Sequence, residues 1–312
     1  MSLISAQNYT YRVFGLTLGS EIAFPELFLS AGSGSIPDVT VHMGKAPPKE
    51  SVTGTQKPYS AYNGTEFWHK MPGVAIYYVK DGKEIIIEPI GENVDEIRLF
   101  FLSNALGAML YQRDHIPLHA SGITDKSGGV YLFTAPSRTG KSTLLYMLSQ
   151  MGYRPFTDDV CILEPAADPA GGLIAYAGYP MMKLWSETIE KLNADPEASL
   201  KRLRPEIEKF GLDFSDTFSD QPARVKGIIV LDRTGSNEEI AISRLTQMEA
   251  FRALEKNVYR RPWVEGMGKT ITHFRQTGQW SNALPVYLAK RPATENTIGE
   301  FAEAIHRQIL SR

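Results

Sequence analysis

The nine residues Ala135-Pro136-Ser137-Arg138-Thr139-Gly140-Lys141-Ser142-Thr143 constrain the fold of this chain more than any other stretch. They fit the template of a glycine-turned loop that opens a helix, with alanine where the first glycine usually stands. The preceding run, Val130 to Thr134, is a buried strand by its β-branched and aromatic content. The following run, STLLYMLSQM, reads as a helix stopped by Gly152. Strand, loop and helix in that order call for an α/β domain, because such a helix buries its apolar face against the sheet it has just left.

The same order predicts a ligand. The backbone N–H groups of Ser137, Arg138, Thr139 and Gly140 turn inward, and the helix N-terminus adds partial positive charge, a combination that cradles a phosphate. Lys141 is then expected to bridge the β- and γ-phosphates of a nucleoside triphosphate, Ser142 to ligate Mg²⁺ through its hydroxyl, and Thr143 to support the nucleotide.

Around this centre the chain changes character. From Tyr11 to about Glu88 it is a series of short β-type runs among Gly, Pro and Ser, including YRVFGLTL, PDVTVHM and the pair VAIYYVK and KEIIIEP. Asp81-Gly82 between the last two predicts a hairpin, since both central residues of a type I′ turn need positive φ. Asn93, with Glu96 three residues on, caps a buried helix that runs to about Asp114. The predicted organisation is a β-rich domain over residues 1–92 and a larger α/β domain, with a mixed sheet, over 93–312. Lys226 to Leu231 reads as an apolar strand, while Thr246 with Glu249 and Thr297 with Glu300 read as capping boxes. Residues 205–223 have no clear period and read as a long loop or a surface excursion.

Two adjacent carboxylates, Asp158 and Asp159, end a short extended run immediately after the loop helix. One can hold magnesium while the other accepts the proton of an incoming hydroxyl, a division of labour suited to phosphoryl transfer. Asp232, at the end of the strand Ile228–Leu231, is a rival magnesium carboxylate of the kind a plain ATPase uses. Arg260 and Arg261 are candidates for gripping a phosphate or a peptide carboxylate. Composition narrows the partners: 33 Lys and Arg against 35 Asp and Glu leave a formal charge of -2, which offers no field for nucleic acid. The single cysteine, Cys161, excludes an intrachain disulfide. No apolar stretch reaches the roughly 20 residues of a membrane helix, and MSLISAQNYTYR does not read as a secretory signal. A cytoplasmic location is expected, and a homo-oligomer is compatible with all of this.

LHASGI, GGVYLFTAPSRTGKST and GYRPFTDDV together resemble the catalytic core of the HPr serine kinase family. The resemblance implies a P-loop kinase domain of the HPr kinase and phosphoenolpyruvate carboxykinase type, with ATP and Mg²⁺ as its cofactors and a serine hydroxyl as acceptor. It implies Asp158 as the base, Asp159 as the magnesium or water ligand, and His119 as their hydrogen-bonding neighbour, with the two aspartates open to exchange. Where HPr kinases carry Glu-Ile-Arg-Gly, this chain has GYPMMKLW, and no glutamate stands there. YRVFGLTLGSEIAFPEL, GYPMMKLW and LPVYLAKRP resemble a divergent branch, members of which phosphorylate the C-terminal serine of lasso peptide precursors. By that resemblance the partner is a ribosomal precursor peptide bearing an acceptor serine.

Overall fold

The computed structural model describes residues 9–30, 36–168, 171–186, 189, 200–204, 207–235, 239–293 and 297–311. The chain divides into two compact units. One comprises Met1–Pro117 with Leu203–Ile207 and Tyr259–His273; the other comprises Leu118–Arg202 with Glu208–Val258 and Phe274–Arg312.

The first unit holds a nine-stranded sheet built from β1 (Tyr9–Val13), β2 (Leu16–Ser20), β3 (Phe28–Leu29), β4 (Val39–Met43), β5 (Thr55–Lys57), β6 (Ser60–Tyr62), β7 (Glu66–Met71), β8 (Ala75–Lys80) and β9 (Glu84–Pro89). Their order is β3-β1-β2-β4-β9-β8-β7-β6-β5. The hairpin between β8 and β9 turns where the sequence predicts it. Asp81 and Gly82 take φ of 52° and 62°, and Lys83 N–H donates to Lys80 O at 3.0 Å. The Asn93 side chain caps the next helix by accepting from the N–H groups of Asp95 and Glu96. That helix runs as Val94–Phe100, a π-turn over Phe101–Ala105, and Leu106–Gln112.

This helix groups with the first unit, unlike a division at residue 92, and the reason is its attachment to β8 and β9. Tyr77 O–H donates to Ile97 O at 2.7 Å, Gln112 Nε2 donates to Val79 O at 3.1 Å, and the Gln112 side-chain oxygen accepts from Gly82 N–H at 2.7 Å. The segment Tyr259–His273 joins the same unit. Trp263 packs its ring against Phe67, Tyr62 and Tyr111, and Tyr111 O–H donates to Tyr259 O.

The second unit is the α/β part. Its strands are β10 (Ala120–Thr124), β11 (Val130–Thr134), β12 (Arg154–Thr157), β13 (Cys161–Pro165), β14 (Leu173–Ala177), β15 (Met181–Trp185), β16 (Leu200–Arg204, whose last two residues group with the first unit), β17 (Ile207–Asp213, whose first residue groups with the first unit), β18 (Ala223–Thr234), β19 (Ala241–Arg244) and β20 (Val286–Pro292). The main sheet is mixed, as expected: β11, β18 and β20 are parallel, β10 pairs antiparallel with both β11 and β12, and β19 pairs antiparallel with β20. The long strand β18 is its axis. It takes β11 along one side, and β14 and then β20 along the other. A separate sheet has the order β15-β17-β16.

The core of this unit lies between the sheet and two helices, Lys141–Gln150 and Ile298–Ile305. Leu144, Leu145 and Leu148 of the first helix and Phe301 and Ile305 of the second bury against Ile123, Phe133, Ile229 and Leu231. Three fully buried leucines on one short helix anchor the loop that precedes it.

Two local expectations are corrected. Within 205–223, residues 207–213 form β17, paired register by register with β15, so this part is sheet rather than loop; residues 205 and 206 lie outside the described residues. Thr297 does not form a capping box: its side chain caps no N–H, and its hydroxyl instead donates to Pro292 O at 3.2 Å and accepts from Arg291. The Thr246 and Glu249 box is complete. Among the described residues, no helix is long and apolar enough to cross a membrane.

Candidate active site

The candidate residues come together because three neighbouring strands end at one place. β11 delivers the chain into the loop at Ala135. Its antiparallel partner β10 begins opposite, with Ala120 facing Thr134, so His119 stands at the loop's entrance. Thr134 O–H donates to His119 O at 2.8 Å and fixes this approach. β12 pairs with β10 on the other side, Thr157 opposite Gly122, and so delivers Asp158 beside Ser121.

The loop turns tightly. Arg138 and Gly140 take φ of 68° and 108°, and the helix starts at Lys141 with Leu144 N–H donating to Gly140 O. Left-handed residues in such a turn are how successive N–H groups come to line a concave side. Lys141 is buried, and its ammonium donates to the carbonyl oxygens of Ala135 at 2.8 Å and Pro136 at 3.4 Å, so the charge lies inside the curve of the loop. The Arg138 guanidinium lies 5.1 Å from the centre of the Trp185 ring.

The two adjacent aspartates have different surroundings. Asp158 is 4% exposed and is engaged by three donors: Ser121 O–H at 2.5 Å, Lys183 N–H at 2.8 Å, and Ser142 O–H, whose oxygen is 3.0 Å from both carboxylate oxygens. Asp159 has φ of 78°, a conformation uncommon outside glycine, and this reverses the direction of its side chain. Its carboxylate lies 2.7 Å from the Lys183 ammonium and 3.4 Å from His119 Nδ1.

His119 Nδ1 is also 2.9 Å from the backbone oxygen of Asp159. A carbonyl oxygen only accepts, so Nδ1 carries the proton and the lone pair of the neutral ring is on Nε2. Burial, and to a lesser degree the Lys141 charge, push the His119 pKa down against the opposing pull of Asp159, which keeps the ring neutral near neutral pH.

Sequence reading did not assign roles to Lys183, Ser121 or Tyr179. Lys183 is 6% exposed. It binds Asp158 through its backbone and Asp159 through its ammonium, which also donates to Tyr179 O–H oxygen at 3.0 Å. Its signal in the sequence is a lone lysine inside the apolar strand-length run MMKLW, where burial of a charge demands a partner.

Asp232 does not join this cluster. It lies exposed near the end of β18, and its carboxylate accepts from the adjacent Arg233 N–H. Arg260 and Arg261 belong to the first unit, where Arg260 donates to the Asn104 side chain at 2.7 Å and stacks on Tyr259 and Trp263. Cys161 is fully buried, and burial pushes its thiol pKa up, which suits a core residue and not a nucleophile.

A magnesium ion fits the donors present. Ser142 and Asp158 put a hydroxyl and a carboxylate side by side at the helix start, the hard oxygen pair that Mg²⁺ takes together with phosphate oxygens. Among the described residues, no three His, Cys, Asp or Glu side chains form a cage that could hold a metal by themselves.

No family model matches the chain, and no curated protein does. Among solved structures, it is similar to the Hpr(Ser) kinase/phosphatase from Coxiella burnetii at 12% identity, with a TM-score of 0.31, over 62% of this chain and 91% of that one. At that identity and overlap, the reading of function rests on this chain's own residues.

Proposed function

We propose that the second unit is an ATP- and magnesium-dependent kinase that transfers the γ-phosphoryl group to a serine hydroxyl of a peptide. The observation that carries this reading is the Ser142 hydroxyl in contact with the Asp158 carboxylate at the mouth of the 135–140 loop, with a second carboxylate, Asp159, turned away from it.

The geometry favours dividing the work of the aspartates in the opposite sense to the one the family resemblance implies. Asp158, buried against Ser142, is the magnesium-side carboxylate. Asp159, backed by His119 and Lys183, is the group that accepts the serine proton. Ser142 and Asp158 would hold Mg²⁺, which would supply neutralisation of phosphate charge during transfer. Lys141 adds its own positive charge to that tail. Asp159 orients the serine O–H and takes its proton as the new P–O bond forms and the β–γ bridging bond breaks, leaving ADP and phosphoserine. His119, neutral with Nδ1–H directed at Asp159, positions that carboxylate.

The acceptor to test first is the C-terminal serine of a ribosomal precursor peptide, the substrate the family resemblance implies; a serine on a folded regulatory protein is the comparison. Purified chain with γ-labelled ATP and Mg²⁺ is expected to label the peptide serine. Tight nucleotide binding with no label on any acceptor would replace the kinase reading with that of a nucleotide sensor.

A further inference from the structure

Arg291 is the last residue but one of strand β20, beside the loop, and the sequence gives no hint of its role. Its side chain is 6% exposed. One terminal nitrogen, Nη2, lies 3.5 Å from Thr139 O, and a methyl group placed on Gly140 would meet it at 3.3 Å, so the guanidinium is pressed against the turn of the loop. Its other terminal nitrogen, Nη1, donates to Thr297 O–H oxygen at 3.1 Å.

No carboxylate balances this charge among the described residues. The residue opposite Arg291 on β18 is another arginine, Arg233. Burial and, secondarily, Arg233 lower the Arg291 pKa to about 10, which leaves it charged at neutral pH. Burying a guanidinium without an opposite charge is costly, and a neutral side chain could serve as a strut between Thr139 and Thr297 without that cost. A guanidinium has five N–H donors in a planar fork, and among the described residues a carbonyl at the limit of hydrogen bonding and one hydroxyl accept from it. The imbalance calls for an anion with several acceptor oxygens, delivered at the loop.

We infer that Arg291 is a phosphate-binding residue, whose guanidinium forms the wall of the loop at Thr139 and Gly140 and takes up charge on the polyphosphate of a nucleoside triphosphate. The inference rests on the reading of the loop as a triphosphate site, and the experiment separates the two. Calorimetric titration with ATP and Mg²⁺ is carried out on the wild-type chain, R291Q and R291K, with thermal unfolding of each followed without nucleotide. Wild type that binds no ATP refutes the loop reading itself.

If wild type binds, R291Q is expected to lose affinity by roughly tenfold or more, the scale of one charge-assisted bidentate contact. R291K, which keeps the charge without the fork, is expected to fall between the two. Unchanged affinity in R291Q overturns the inference, as does a loss that R291K does not partly restore or that is matched by lost stability without nucleotide. Should R291Q not fold, a wild-type structure with a non-hydrolysable ATP analogue decides: an Nη within about 3.5 Å of a phosphate oxygen supports the inference, and a longer separation overturns it.

Discussion

Asp158 and Asp159 are neighbours in sequence and face different partners because one backbone angle intervenes. With φ of 78° at Asp159, the second carboxylate turns toward His119 and Lys183 while the first stays on Ser142 and Ser121. The pairing of two acids after the loop was legible in the sequence; which one faces the loop serine was not, because a left-handed aspartate leaves no signature of its own. The division of roles has separable consequences. Asp159→Asn is expected to lower kcat by about 10²- to 10⁴-fold, the span of a lost general base, with ATP affinity nearly unchanged. Asp158→Asn is expected to remove the magnesium dependence of ATP binding. Steady-state kinetics and titrations with and without Mg²⁺ read both, and the reverse pattern would return the base to Asp158. At another residue, His69, burial first and the Arg260 charge second lower the pKa from 6.5 to about 4. Below its ordinary pKa the unfolded chain takes up a proton that the folded chain refuses, so stability falls with pH through this window and levels off below the folded value. Denaturant unfolding from about pH 7 to about pH 5 is expected to show wild type losing about 2 kcal/mol that His69→Gln retains.

At the scale of elements, legibility followed the range of the interactions that make each one. The β8–β9 hairpin, the Asn93 and Thr246 caps and the loop with its helix are specified by neighbours in sequence, and each stands where local chemistry puts it. β17 was missed because what makes it a strand is β15, whose register partner for Phe210 is Leu184, far back along the chain. Thr297 was misread because Arg291, six residues earlier, takes its hydroxyl. The loop helix is the element on which the site depends, and its hold on the core is open to measurement. Leu148→Ala removes a fully buried side chain from the cluster under the helix and is expected to cost about 2–5 kcal/mol in chemical denaturation. Gly140→Ala acts differently, through the turn itself. A side chain at φ of 108° is strained, and its methyl group would lie 3.3 Å from Arg291. A cost of about 1–3 kcal/mol is expected, with a loss of ATP affinity that Leu148→Ala does not share when both are compared well below their unfolding temperatures. Equal ATP affinity in both variants would show that the loop's curvature is irrelevant to the ligand.

At the scale of the whole molecule, the sequence-based boundary at residue 92 and the observed units differ for one physical reason. The change in composition at Gly91 marks where strands give way to a helix, but a unit is defined by what that helix buries. Phe101 stacks on Phe24 at 4.3 Å, and Tyr77 holds Ile97, so the helix belongs to the sheet before it. Tyr259–His273 then returns to that unit from far along the chain, a connection no local pattern announces. All the residues assigned here to nucleotide, magnesium and proton transfer belong to the second unit, and each unit has a hydrophobic cluster of its own. A ligand that binds only the folded form stabilises it by about 2.7 kcal/mol at a hundred times its dissociation constant, and slows amide exchange wherever opening destroys the site. Saturating Mg-ATP is therefore expected to slow hydrogen exchange in β11, the loop helix and β18, and to leave the amides of β8 and β9 at their unliganded rates. Mass-spectrometric exchange with and without nucleotide reads this directly. Protection of β8 and β9 equal to that of β11 would show that the two units open together, and that the nucleotide acts on one cooperative body.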